Sequence, residues 1–125
     1  MRHTNKAVAV ILLLWEPTNF AGEALTVVPT IAYRGLLPAF ELSTHGVVAA
    51  LAAAAGLAIW NGAPAGRRLG TVAIIASAAR TVQSLYFSSL PHNVVPGDEP
   101  AIAVATVVTA AIALVIISRS EQSSR

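Results

Sequence analysis

The sequence contains no cysteine among its 125 residues, which excludes disulfides, thiolate catalysis, iron–sulfur clusters and zinc–thiolate sites. It is also poor in charge: Asp, Glu, Lys and Arg make up 11% of the chain, and no run of Lys and Arg is long enough to follow a phosphate backbone. A nucleic-acid partner is therefore excluded. Hydrophobic residues account for 55% of the chain, whereas a soluble domain of this length needs about twice the charge on its surface. Composition predicts a single integral membrane domain over residues 1–125.

Four apolar segments are each close to the length of about 20 residues that crosses a bilayer. The short stretches between them are rich in Gly, Pro and Asn, which are typical of turns. The predicted spans are residues 7–31, 43–60, 69–90 and 101–118. We therefore expect an all-α, multi-pass fold, a bundle of four transmembrane helices in the plasma membrane.

Basic residues are unevenly divided between the two sides of this predicted bundle, and cytoplasmic flanks retain Lys and Arg during insertion. One side holds Arg2, Lys6, Arg67, Arg68, Arg119 and Arg125. The other side holds Arg34 together with Glu41, Asp98 and Glu99. Both termini are therefore expected to be cytoplasmic.

A cleaved signal peptide is the alternative interpretation of the first span. Residues 1–6 are basic and residues 7–15 are apolar, in the order that a signal peptide has. The nearest small-residue cleavage site, residues 22–24, is a poor one because it follows Glu16 and Pro17. The other three spans would keep the same direction in either case.

Small residues recur at every fourth position of the second and fourth spans. These stripes are Gly46, Ala50, Ala54 and Ala58, and Ala101, Ala105, Thr109 and Ala113. Small residues let helix backbones approach closely in lipid, where apolar burial alone drives no association. The stripes predict close packing of these two helices without identifying their partners, although alanine is abundant enough in this chain to produce them incidentally.

Polar residues in the first span require an explanation, because a carboxylate inside a bilayer costs several kcal/mol unless it is protonated or paired. Glu16 lies about 13 Å from the inner end of the span. Asn19 and Glu23 follow at spacings of three and seven and share its helix face. Pro17 predicts a kink or a break at Trp15–Glu16, and such breaks often form binding sites in membrane proteins.

Matching polar residues occur at similar depths in the second and third spans. Arg80 lies at about the depth of Glu16, and His45 and Gln83 lie at about the depth of Glu23. Ser77, Ser84, Tyr86 and Phe87 are on or beside the helix face of Arg80. We therefore expect a polar cluster in the outer half of the bundle.

This cluster is the predicted functional site, with no metal and no cofactor. The expected catalytic residues are Glu16, Glu23, Arg80 and His45, and the expected substrate-binding residues are Trp15, Asn19, Phe20, Gln83, Ser84, Tyr86 and Phe87. Paired axial haem ligands are excluded because His3 and His92 fall at other depths. Asp98 and Glu99, which are flanked by Gly and Pro, indicate a solvated turn.

A buried Glu16–Arg80 pair that only fixes helix register is the structural alternative. Local pairing of His45 with Glu41, four residues earlier, is a second one. One Arg cannot neutralise both Glu16 and Glu23, however, and a buried carboxyl without a cation is expected to be protonated. Such a group can donate a proton to a substrate.

Three functions fit these residues. The first is an enzyme that starts the isomerisation or cyclisation of an isoprenoid-like lipophilic molecule with a proton. It is similar in type to small integral membrane cyclases, which use intramembrane carboxylates, and membrane lipid is the expected route of the substrate. The second is a proton-coupled transporter, which would act as a homo-oligomer. The third is a non-catalytic subunit or assembly factor of a membrane complex, whose polar faces pair with a partner helix.

The transporter hypothesis draws on a resemblance. In its length and in the glutamate early in the first helix, Glu16, the chain resembles in outline the small multidrug resistance transporters. That resemblance implies a four-helix fold in which Glu16 exchanges a proton for substrate. The chain differs from that family in having Pro17 beside the glutamate and further charges at Glu23 and Arg80.

Overall fold

A computed structural model of the chain describes residues 3–90 and 94–123, and the side chains of these residues up to residue 119. The described residues form helices joined by short turns, without a strand. The helices are α1 (His3–Val27), α2 (Ile31–Arg34), α3 (Leu36–Trp60), α4 (Gly66–Tyr86) and α5 (Glu99–Ser123). The predicted all-α class is confirmed. Arg2 and Arg125, which contribute to the predicted orientation, and His92 lie outside the described residues.

Within the described part of the chain, three segments are long and apolar enough to cross a membrane: His3–Arg34, Leu36–Trp60 and Glu99–Arg119. The first of them joins α1 to α2 through a single 3₁₀ turn at Val28–Thr30. The predicted third span, now α4, is not among the segments that meet this criterion. Its length of 21 residues is sufficient, but three arginines and several other polar residues lower its hydropathy.

The helix boundaries differ most from prediction at the second span. α3 begins at Leu36 rather than at residue 43. Pro38 therefore lies in its first turn, where a missing N–H removes no helical hydrogen bond. The earlier start places Glu41 within the helix, where it is buried.

The predicted break at Trp15–Glu16 is absent, because α1 is an unbroken α-helix across Pro17. α1 packs extensively on α3. Neighbouring helices commonly stabilise proline inside membrane helices in this way. Glu16 and Glu23 therefore stay on one continuous helix face, two turns apart.

The helices pack in chain order, α1 on α3, α3 on α4 and α4 on α5, with a smaller contact between α5 and α1. One end of the bundle holds an apolar core to which all four long helices contribute. The buried residues of this apolar core are Val8, Ala9, Leu12, Ala52, Ala55, Ile59, Ala73, Ile74 and Ile117. A smaller apolar cluster, Val27, Leu42 and Leu90, lies towards the other end. In α1 and α4 the buried polar residues lie between the two.

α1 and α3 approach each other closely at Gly56. A Cβ at this position would lie 2.8 Å from the carbonyl oxygen of Ala9 and 2.7 Å from Cγ of Leu13. Ala50 and Ala54 of the predicted α3 stripe are instead exposed. Within the chain, α3 therefore packs through a different set of small residues, Ala49, Ala52, Ala55 and Gly56.

Most of the α5 stripe is also not a packing face within the chain, although its Ala113 packs against the apolar core. Ala101, Ala105 and Thr109 are exposed, and Ile117 is the buried residue of the helix among the described side chains. Only 6% of its most apolar stretch is buried inside the chain. α5 therefore covers one side of α4 and leaves most of its own surface uncovered.

Candidate functional site

His45 lies between two glutamates of α1. Its Nε2 is 3.1 Å from Oε2 of Glu16, and its Nδ1 is 2.8 Å from Oε1 of Glu23. The spacing of seven residues puts both carboxyls on the face of α1 that contacts α3. Glu16 and His45 are buried, being 4% and 6% exposed. The structure thus joins three of the predicted catalytic residues directly.

The geometry of this trio determines its proton count. Each of the two contacts needs one hydrogen between nitrogen and oxygen, whereas a neutral imidazole supplies only one. A second proton must therefore lie on His45 or on one of the glutamates. In either arrangement the three groups together carry one negative charge. A proton can pass from one carboxyl to the other through the imidazole, as histidine does in other proton shuttles.

Arg80 of α4 contacts the trio at Glu23 and not at Glu16. Its Nη2 is 3.4 Å from Oε1 of Glu23 and 3.6 Å from Oε2 of Glu41. Its Nη1 donates a hydrogen bond of 3.0 Å to Oε1 of Gln83. Arg80 is itself 7% exposed. The alternative of a Glu16–Arg80 pair is therefore wrong in its partners: Glu16 pairs with His45, and Arg80 pairs with Glu23 and Glu41.

Ser77 completes the surroundings of Glu16. Its hydroxyl donates a hydrogen bond of 2.6 Å to Oε1 of Glu16. Ser77 is three residues before Arg80, so one face of α4 reaches both glutamates of α1. Its position beside Arg80 is visible in the sequence, but its role as a donor to Glu16 is not.

Glu41 is the residue of the site that sequence reasoning missed. Its Oε1 accepts hydrogen bonds of 2.7 Å from both the backbone N–H and the hydroxyl of Ser89, and Oε2 accepts one from the hydroxyl of Ser88. The predicted second span begins after Glu41 and so places it in a loop. The expected local pairing with His45 is also wrong, because both ring nitrogens of His45 face α1.

Glu16, Glu23, Glu41, His45 and Arg80 form what we name the polar cluster. Since all three donors to Glu41 point at its oxygens, its hydrogen bonds fit an ionised carboxylate. The charge of Arg80 then balances one of the two negative charges that Glu41 and the His45 trio carry. The polar cluster as a whole retains one negative charge.

A cavity of about 570 Å³ adjoins the polar cluster. Its lining comes mainly from α1 and α4, and Ile102 of α5 also contributes. The α1 residues in the lining include Trp15, Thr18 and Asn19, which are exposed on the surface of the chain. The cavity is therefore open beside α1.

The predicted substrate-binding residues divide into two groups. Trp15, Asn19 and Ser84 line the cavity, as do Glu16, Glu23, His45 and Arg80. Phe20, Gln83, Tyr86 and Phe87 do not. The sequence places these residues on suitable helix faces, but a face alone does not show where the space between helices lies.

The second group has other contacts. The Phe20 ring meets His45 edge-on, with ring centroids 5.5 Å apart, and so helps to hold the imidazole in place. Gln83 accepts from Arg80 and donates to the backbone carbonyl of Phe87. Tyr86 and Phe87 are exposed, by 49% and 81%.

The residues that the structure describes contain no group of three or more His, Asp or Glu side chains arranged to hold a metal ion. No protein-family model, no curated protein and no solved structure matches the chain. The geometry of the site permits proton transfer between two carboxyl groups through an imidazole, beside a cavity that is open to the surface.

Proposed function

We propose that this chain is an integral membrane enzyme that protonates a lipophilic, isoprenoid-like molecule and so starts its isomerisation or cyclisation. The observation that carries the proposal is the contact of His45 with both Glu16 and Glu23 at the wall of a 570 Å³ cavity. The volume is in the range of about 300–1,000 Å³ that is usual for small-molecule sites. Buried ionisable groups are costly in a membrane and typically mark function.

In the proposed topology, four helices cross the plasma membrane and both termini lie in the cytoplasm. Three segments have the necessary length and hydropathy. α4 crosses with them because α3 and α5 pack against it, its arginines Arg67 and Arg68 lie at its start, and Arg80, in its interior, is directed to the polar cluster. The contact of Lys6 with the ring of Trp60, at 4.8 Å, puts the start of α1 beside the end of α3, as antiparallel neighbours require.

Glu23 is the proposed proton donor. Its side chain is 20% exposed, whereas that of Glu16 is 5% exposed, and Glu23 lines the cavity. The Glu23 carboxyl gives its proton to one carbon of a substrate double bond, which leaves a carboxylate and a carbocation. Ring closure or a bond shift follows, and a neighbouring carbon then returns a proton to the carboxylate. The proton released equals the proton taken up, so the reaction consumes no co-reactant.

His45 and Glu16 are the proposed means of keeping Glu23 supplied with a proton. The 2.8 Å contact between Nδ1 of His45 and Glu23 lets one proton occupy either group. Glu16, held by Ser77, fixes the other ring nitrogen. Arg80 stabilises the Glu23 carboxylate that remains after proton transfer.

A proton-coupled transporter is the second candidate, because α5 leaves most of its apolar surface uncovered and so offers a face for a second copy. Glu23 and Glu16 would then exchange a proton for substrate at the same cavity. A non-catalytic subunit is less favoured, because the polar faces of α1, α3 and α4 pair with one another inside the chain.

Deuterium transfer tests the enzyme proposal even while the substrate is unidentified. The purified protein is reconstituted in vesicles, incubated in D₂O with a neutral lipid extract of its own host membrane, and the lipids are analysed by mass spectrometry. We expect a lipid to acquire deuterium from the wild type, and Glu23→Gln to slow this by about 100-fold or more. Asp98→Asn, an exposed carboxylate in a turn, is the matched control and should retain the activity.

The transporter predicts a different result. No lipid acquires deuterium, but addition of substrate drives proton movement across the vesicle membrane, and Glu23→Gln abolishes that movement. Deuterium transfer that persists undiminished in Glu23→Gln would show that another group is the donor.

A further inference from the structure

Glu23 is the most accessible charged side chain of the polar cluster. Its side chain is 20% exposed. The other four members are each between 5% and 9% exposed: Glu16, Glu41, His45 and Arg80. Glu23 also lines the cavity. Of the charged groups in the polar cluster, the Glu23 side chain is therefore the one most open to a ligand in the cavity.

One carboxyl oxygen of Glu23 is available to such a ligand. The contacts of Glu23 with His45 and with Arg80 both use Oε1. Its Oε2 has no hydrogen-bond partner among the residues that the structure describes and, unlike Nε of Arg80, this oxygen is not buried. An ionised carboxyl group only accepts hydrogen bonds. A ligand group that suits Oε2 is therefore a donor.

The net charge of the polar cluster favours a donor that is also a cation. The trio of Glu16, Glu23 and His45 carries one negative charge. Glu41 carries a second one, and Arg80 supplies one positive charge. The negative charge that remains attracts a cation and repels an anion, and both effects are much stronger in a medium of low dielectric than in water. A neutral ligand gains no such attraction.

The rest of the cavity wall suits an organic cation with an apolar remainder. Trp15 lines the cavity, and an indole is the aromatic ring that attracts cations most strongly. Leu85 and Ile102 add apolar surface to the lining. The volume of about 570 Å³ is large enough for a ligand that reaches all of these residues.

We infer that the cavity binds a lipophilic ammonium ion, such as a protonated prenyl amine, whose charged nitrogen lies beside the Glu23 carboxylate. The shared proton of the trio then lies on His45. The inference rests on the proposed function in one respect, because an ammonium ion carries the charge of the carbocation that proton transfer from Glu23 forms. The inferred ligand is thus a stable mimic of that intermediate and an inhibitor of the proposed reaction.

Tryptophan fluorescence can measure this binding, because Trp15 lines the cavity. The background protein carries Trp60→Phe, which leaves Trp15 as the sole reporter, and is reconstituted in phosphatidylcholine vesicles, whose lipids have no net charge. The probes share one prenyl chain and differ in charge at neutral pH: farnesylamine is a cation, farnesol is neutral and farnesoic acid is an anion. We expect farnesylamine to bind at least about tenfold more tightly than each of the other two.

Glu23→Gln tests the position of the cation, because glutamine keeps the shape of the side chain and removes the net negative charge of the polar cluster. We expect this change to reduce the preference for farnesylamine over farnesol to within about twofold. Farnesol binding should stay the same. Asp98→Asn, which removes an exposed carboxylate in a turn, is the matched control and should keep the full preference.

The outcomes separate this inference from the proposed catalysis. Binding of farnesylamine no tighter than that of farnesol overturns the inference, and this comparison uses unaltered Glu23, so a misfolded variant cannot obscure it. An unchanged preference for farnesylamine in folded Glu23→Gln also overturns it, since the cation then lies elsewhere. A preference that depends on Glu23, without deuterium transfer to any lipid, would leave the inference standing and count against the proposed enzyme. Deuterium transfer by a protein that does not prefer farnesylamine would do the reverse.

Discussion

At the end of the bundle where α1 begins, the helices meet through alanines, glycines and branched apolar side chains, and Gly56 comes close enough to α1 that a Cβ would touch Ala9 and Leu13. Towards the other end, the same helices enclose three carboxyls, an imidazole, a guanidinium and a cavity. The first arrangement maximises close packing, which drives helix association in lipid. The second arrangement buries charged side chains, which costs free energy, and leaves a cavity between the helices. This difference is what the proposed function requires, with an apolar core that holds the fold together and a polar cluster that is kept for chemistry.

The largest expected effect is that of Arg80→Gln. This change leaves Glu23 and Glu41 without their cation, so the free energy of unfolding in detergent should fall by about 3–5 kcal/mol. The exposed Arg68→Gln is the control, with an expected change within about 0.5 kcal/mol. Chemical unfolding followed by helical circular dichroism measures both. If the two variants had the same free energy of unfolding, the charge of Arg80 would not be needed to stabilise the polar cluster.

Gly56→Ala tests the apolar core with the smallest possible side chain. The added methyl group meets a backbone oxygen at 2.8 Å, and the helices must separate to accept it. We expect a loss of about 1–3 kcal/mol of unfolding free energy. Gly22→Ala is the matched control, because a Cβ there meets nothing within 4 Å; it should be neutral or stabilise α1 by up to about 1 kcal/mol. A loss at Gly22 as large as that at Gly56 would refute the close approach.

The smallest expected effect on stability, and the most informative one, is that of Glu23→Gln. Glutamine keeps the shape and can still accept from His45 and Arg80, and the side chain is partly exposed. The unfolding free energy should change by no more than about 0.5 kcal/mol, although the deuterium-transfer activity should be lost. If the unfolding free energy instead fell by several kcal/mol, Glu23 would be a structural residue. The polar cluster would then stabilise the fold as the apolar core does.

Much of the site is predictable because depth in a helix follows from residue count. Glu16, Glu23, His45 and Arg80 are expected at similar levels, and the structure brings them together. Their partners are not predictable. Depth alone suggests Glu16 with Arg80. The rotation of α3 about its axis instead puts His45 against Glu16, and the rotation of α4 turns Arg80 towards Glu23 and Glu41.

Burial is least predictable for residues near the ends of the predicted helices. The apolar run begins at residue 43 and so predicts a loop at Glu41, yet α3 extends back to Leu36 and buries this residue. Tyr86 and Phe87 are predicted on a binding face, yet α4 ends at Tyr86 and both side chains are exposed. Local propensity is a weak guide to where a helix ends, because tertiary contacts routinely override it.

By itself, the sequence determined the helical class, the membrane-like hydropathy of three segments, and the shared helix face of Glu16 and Glu23, because hydropathy and helical periodicity are local properties of the chain. Only the tertiary structure decided which carboxyl meets which cation, that Glu41 belongs to the polar cluster, and that a cavity opens beside α1. These depend on the rotation and spacing of whole helices, which are set by contacts such as that of Gly56 with Ala9, between residues far apart in the chain.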